Sequence, residues 1–181
     1  SGVVICKDEA EWKQLFEFAS GTGIETITCE PEYAHLKYVD QLANQYKIDV
    51  AIHNHPQPSL YWKPELFLDA VKGLSNRIGA CADVGHWKRM GVDPVEALKM
   101  YEGRLKTLHF KDVKEKEEGE EEQHDVIWGT GVCNTEGLLN ELKRQNFKGL
   151  FSIEYEYNWE NSVPDIKQCI LNFNKIVDKL Y

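Results

Sequence analysis

The sequence has little of what marks several common classes of protein. It holds no apolar run near the roughly 20 residues that span a bilayer, and nothing at its start reads as a signal peptide, so no membrane role is expected. Cationic residues are a minority, 21 Lys and Arg against 30 Asp and Glu, for a net charge of −9. A nucleic-acid surface needs clustered Lys and Arg against the phosphates, so no nucleic-acid partner is expected either. No Cys-x-x-Cys pair occurs. Cys6, Cys29, Cys81, Cys133 and Cys169 are odd in number and scattered, which excludes a zinc knuckle or a disulfide framework and predicts buried free thiols. Free thiols lean toward the cytoplasm, whereas a signal peptide removed upstream of Ser1 would place the chain in the periplasm. A glycine-rich loop of the kind that cradles phosphate is also missing.

What is present fits one domain with a core: 181 residues, 42% apolar and 28% charged. Part of the negative charge is local, since "KEKEEGEEE" (114–122) carries six Glu against two Lys and reads as a solvated, mobile loop. Elsewhere β-rich runs alternate with helical stripes. The runs are Val3–Ile5, Glu25–Cys29, Ile48–Ile52, Ile78–Ala82, Leu105–Phe110 and Gly149–Glu154. Stripes at helical spacing include Trp12, Leu15, Phe16 and Ala19 near the start, and Cys169, Ile170, Phe173 and Val177 in the longest, near the end. Asp93-Pro94 and Asn134-Thr135 are helix starts. Six strands alternating with six helices predict a parallel sheet with right-handed crossovers.

The chemistry gathers where those strands end. Side chains two apart on a strand share a face. The second strand ends at Glu30, and the third offers His53 and His55 together, in "IDVAIHNHPQPSLYW". The fourth ends at Asp83 with His86 just beyond; the fifth pairs His109 with Lys111, and the sixth Glu154 with Glu156. Side chains from different strands converge if the sheet curls into a barrel, whose site lies at the C-terminal ends of the strands. Carboxylates and imidazoles without thiolates suit a divalent ion, Mn²⁺, Zn²⁺, Co²⁺ or Mg²⁺. Trp62, Trp87 and Trp128 fall in loops expected at the same end, where they could stack on the apolar face of a sugar.

The stretches "VAIHNHP", "GACADVGHW", "LHFKDV", "HDVIWGTG" and "FSIEYE", in that order, resemble the sugar phosphate isomerase/epimerase family, the xylose isomerase-like TIM barrels related to endonuclease IV, and within it an HNH-containing subgroup. The resemblance spans essentially the whole chain. It implies one metal ion held by His53, Asp83, His109 and Glu154. The commonest family pattern has Glu where His53 stands, and Glu30 and His55 are the alternatives for that ligand. A closed barrel needs eight βα units and usually about 250 residues. The chain therefore reads as the C-terminal six units of an α/β barrel of the TIM type, with units missing upstream. Otherwise its open edges would pair in a homo-oligomer.

The resemblance further implies proton abstraction next to a carbonyl of a sugar or keto-sugar. Glu154 with Glu30 or Glu156 would serve as acid and base, and His86 and Lys111 would hold substrate oxygens, with His55, Trp62 and Trp128 as further contacts. An isomerase or epimerase is the first reading. A lyase or dehydratase using the same enediolate is the rival, and a non-catalytic sugar-binding or scaffold protein the reading from another class. Phosphodiester cleavage of the endonuclease IV kind would need more histidine ligands and a basic face, which this chain lacks.

Overall fold

The computed structural model describes residues 2–120 and 123–180. Five parallel strands follow the chain in order: β1 (Thr26–Cys29), β2 (Asp49–His53), β3 (Ile78–Asp83), β4 (Leu105–Phe110) and β5 (Leu150–Ile153). Each pairs with the next, and the sheet curls into part of a TIM-type barrel with helices outside it. The expected first strand shrinks to one bridge, Val4 with Cys29. Asp8 explains this, because its carboxylate caps the N–H of Glu11 and starts a helix almost at once.

The helices are α1 (Glu9–Thr22), α2 (Leu36–Tyr46), α3 (Pro64–Ala70), α4 (Val84–Arg89), α5 (Pro94–Met100), α6 (Thr135–Arg144) and α7 (Val163–Leu180). Both expected helix starts hold: Asp93 caps the N–H groups of Val95 and Glu96, and Asn134 that of Gly137. Helix α4 was not expected. It forms because Asp83, at the last position of β3, accepts the N–H of His86 with its own side chain. All six residues of β3 are buried, as a strand covered on both faces must be. Trp12, Phe16, Val39, Leu42, Phe67, Leu98 and Leu138 fill the space between strands and helices; each is worth about 1.5–3 kcal/mol of burial. All five cysteines are free and buried. In the acidic stretch Lys114 pairs with Glu117 and Glu120, while Glu121 and Glu122 lie outside the described residues.

Candidate metal centre

The histidines at the strand ends meet in a cleft of about 280 Å³ that His53, His55, Asp83, His86, His109 and Glu154 help to line. The ring of His53 lies 4.2 Å from that of His55 and 4.8 Å from that of His109, centre to centre. Depth separates the first two: the His53 side chain is 1% exposed and that of His55 45%. Asn54 between them supplies the geometry. Its Nδ2 donates to the backbone oxygen of Asp83 at 3.0 Å and its Oδ1 accepts the N–H of Asp83 at 2.8 Å, so it rivets the end of β2 to the end of β3.

Glu30 is fully engaged. One oxygen receives Nδ1 of His53 at 3.2 Å and both the N–H and Nδ1 of His55; the other takes the hydroxyl of Ser59 at 3.0 Å. Burial pushes its pKa up, but the bonds from His53 and His55 outweigh this and lower it to about 2. An ionised carboxylate only accepts, so His53 donates through Nδ1 and turns Nε2 toward Asp83, 3.8 Å away. A carboxylate behind an imidazole is the usual support of a metal-binding histidine. The same contacts dock the loop after β2, with Tyr61 buried and its hydroxyl donating to the Pro31 oxygen at 2.5 Å.

Asp83 carries the decisive atom. Its Oδ1 caps α4, whereas Oδ2 is buried and makes no hydrogen bond among the described residues. His86 Nε2 and Lys111 Nζ stand 3.5 Å from that oxygen, near enough to hold Asp83 ionised but outside good hydrogen-bond length. Burial opposes the charge, yet His53, His86 and Lys111 hold its pKa well below the usual carboxylate range. His109 faces Glu154 at 3.6 Å. Burial, then the neighbouring His53, lowers the pKa of His109 to about 4, so at neutral pH the ring is uncharged. Burial raises that of Glu154. A neutral imidazole, an ionised carboxylate with a bare oxygen and a supported histidine form a donor set that fits a divalent cation.

Cys81 was not foreseen, although it stands two residues before Asp83 and so on the same face of β3. Two sets of donor atoms lie within 4.8 Å of one another, His53 with Cys81 and His109, and His53 with His55 and His86. Burial pushes the Cys81 thiol up to about 12, which disfavours the thiolate a metal needs.

Lys111 is sheathed, its side chain 0% exposed, with Nζ 2.5 Å from Glu156 and 3.9 Å from Asp125. Its stem passes directly beneath Gly85, where an added Cβ would meet Lys111 Cδ at 2.6 Å. The tryptophans correct the expectation. Trp128 is buried against Phe110 and Phe173, and Trp87 against Tyr101, because loop and helix turn their apolar faces into the layer between helices and sheet. Trp62 lines a different groove, beside Met90 and Met100. None of the three lines the histidine cleft. Asp112 is a further residue the sequence reading passed over. Its carboxylate accepts the N–H groups of Val113, Gly129, Gly131 and Cys133, and so ties down the long connection from β4 to α6.

A family model described as xylose isomerase-like TIM barrel matches residues 10–172. The chain belongs to that family. An uncharacterised protein of known structure from Parabacteroides distasonis is 38% identical, with 99% of this chain and 68% of that one covered and a TM-score of 0.69. The IolI protein, solved with a zinc atom bound, matches at 19% identity over 95% of this chain and 69% of its own, with a TM-score of 0.77. A D-tagatose 3-epimerase-like protein matches at 20% identity over 91% and 69%, with a TM-score of 0.71. Among curated relatives, inosose dehydratases of Lacticaseibacillus casei and Clostridium perfringens are 24% and 26% identical over 124 and 164 residues, 68% and 82% of this chain. The chain spans only 36% and 48% of the length of those two relatives. The proteins this chain is similar to thus include one described as D-tagatose 3-epimerase-like and several inosose dehydratases.

Proposed function

We propose that this chain carries the metal and substrate site of a divalent-metal-dependent isomerase or epimerase that moves a proton next to the carbonyl of a sugar or keto-sugar. The observation that carries the reading is the bare Oδ2 of Asp83, buried among His53, His86 and Lys111 at the ends of successive parallel strands. Asp83, His53, His109 and Glu154 would hold the ion, with Glu30 behind His53. A divalent ion there would supply positive charge to polarise carbonyl and hydroxyl oxygens. That the similarly folded IolI protein was solved with a zinc atom is in keeping with a divalent ion on this fold.

Around that centre the chain's own residues divide the work. Glu156 is 44% exposed at the mouth, where it can take a proton from the substrate carbon and, in an isomerisation, deliver it to the neighbouring carbon; in an epimerisation a second carboxyl, Glu154, would deliver a proton to the other face. Lys111, fully sheathed, acts through Glu156: it holds that carboxylate as a charged pair, which lowers the pKa of Glu156 against the pull of burial. His86 lies beside Asp83 and can donate to a hydroxyl. His55, more exposed, meets substrate first.

The similarity to inosose dehydratases is the ground for a second reading, in which the same proton removal is followed by loss of a β-hydroxyl as water. One experiment separates the two. The protein is incubated in D₂O with Mn²⁺, Co²⁺ or Zn²⁺ and a panel of ketohexoses and inososes, and products are read by NMR and mass spectrometry. Deuterium gain without loss of water marks isomerisation or epimerisation, whereas loss of one water marks dehydration. Neither exchange nor elimination with any of them, together with no metal binding, would overturn the proposal.

A further inference from the structure

We infer that Arg89 is a positioning residue: its guanidinium fixes His86 as a hydrogen-bond donor through Nε2 and so keeps His86 out of the metal's ligand set. The proposed function enters only in what His86 donates to, an oxygen of the substrate.

Arg89 lies one turn after His86 on α4, with 17% of its side chain exposed. It points three donors in three directions. Nε reaches the backbone oxygen of Gln123 at 3.0 Å, Nη2 reaches Oδ1 of Asp125 at 2.5 Å, and Nη1 reaches Nδ1 of His86 at 3.2 Å. A guanidinium has no acceptor atom, so Nδ1 of His86 must be the lone-pair nitrogen and the ring proton sits on Nε2. That Nε2–H is the atom 3.5 Å from Asp83, inside the cleft.

The consequence decides between the two donor sets. An imidazole binds a metal only through a nitrogen with a free lone pair. In His86 one nitrogen is spent on Arg89 and the other carries hydrogen. The set of His53, His55 and His86 is therefore not a metal-binding set, despite its close spacing. The ligands come instead from the side of His53 and His109.

The guanidinium is itself held by Asp125, whose side chain is 0% exposed. The second oxygen of Asp125 accepts the N–H of Glu156 at 2.7 Å. One arginine thus links the segments that follow β3, β4 and β5, and sets His86 and Glu156 on a common frame.

The test is nitrogen NMR of histidine rings in labelled protein, free of metal and substrate. In the wild type Nδ1 of His86 is expected to show the shift of an unprotonated nitrogen and Nε2 that of a protonated one. Arg89→Met should move both shifts toward their average, and Arg89→Lys, which keeps a donor, should restore part of the separation. In calorimetric titration with Mn²⁺ alone, His86→Asn should bind within about twofold of wild type, while His109→Asn should lose at least about tenfold. A wild-type spectrum with the proton on Nδ1 would overturn the inference, even if Arg89→Met failed to fold. So would His86 shifts unmoved in Arg89→Met, or a His86→Asn protein as weak for Mn²⁺ as His109→Asn. Absence of any Mn²⁺ binding by the wild type would count against the proposed function alone, because the ring spectrum is read without metal.

Discussion

The two ends of the strands both carry charge, and they use it in opposite ways. At the N-terminal end Asp49 is met by Arg77 at 3.0 Å and by Lys106 at 2.7 Å, one partner for each carboxylate oxygen. It borders a groove of about 550 Å³, larger than the histidine cleft. At the C-terminal end Asp83 has three positive or polar neighbours and still, among the described residues, one oxygen without a hydrogen bond. Size therefore does not mark the site. An end whose carboxylate oxygens each hold a partner is finished, whereas an end that leaves a buried carboxylate oxygen without a bond is arranged for something to be added.

Substitutions at the two ends should differ in their cost. The largest effect should come from the clamp beneath the C-terminal end. Asp112→Ala takes an acceptor from four backbone N–H groups and strands three of them, since Gly129 keeps the hydroxyl of Thr135; it should cost roughly 3–5 kcal/mol, seen as a fall in melting temperature of about 10 °C. Next, Asp83→Asn keeps the cap on α4 but removes the charge. It should lower Mn²⁺ affinity, and any turnover, by at least about a hundredfold in titration and rate assays. The same change at the other end, Asp49→Asn, should leave both within about twofold; an equal loss there would erase the distinction.

Acid should also act on one end more than the other. His86 and His109 have pKa values lowered to about 3 and about 4 from an ordinary 6.5, so the unfolded chain takes up their protons first. Their stabilisation is complete above the ordinary value and is lost as pH falls from there toward 4. His53, whose pKa is raised by Asp83 and Glu30 against burial, opposes them, two groups against one. Glu30 joins the loss below its ordinary 4.5. Melting curves of the metal-free protein should therefore drop between about pH 7 and 4, and His109→Asn should flatten that drop. The smallest effect is the stability cost of Asp49→Asn, about 1 kcal/mol or less for partly exposed pairs, with no change in the pH profile.

Much of this was legible in the sequence because strand alternation is a strict rule. It placed His53, Asp83, His109 and Glu154 at neighbouring strand ends, and the fold class follows from the alternation of strand and helical periods. What escaped is what periodicity does not encode. Trp87 and Trp128 sit in stretches without a regular repeat, so nothing local says which way they turn. Arg89 and Asp125 meet only because Asp83 caps a six-residue helix, too short to leave a hydrophobic stripe. Glu30 read as a base because a lone carboxylate shows its charge, not the bonds that occupy it. Asn54 was hidden between two more conspicuous neighbours.

Asn54 also makes the site mechanically lopsided. Its two bonds to Asp83 act like the fixed jaw of a caliper, holding His53 and Asp83 at a set gap. The opposite jaw is Glu154, just past the short strand β5 and outside the reach of those two bonds. Ions of unequal radius should then be accommodated by travel of Glu154, with the His53 side standing still. Spectra of Glu154 and His53 recorded with Mg²⁺ and with Mn²⁺ would show which jaw moves.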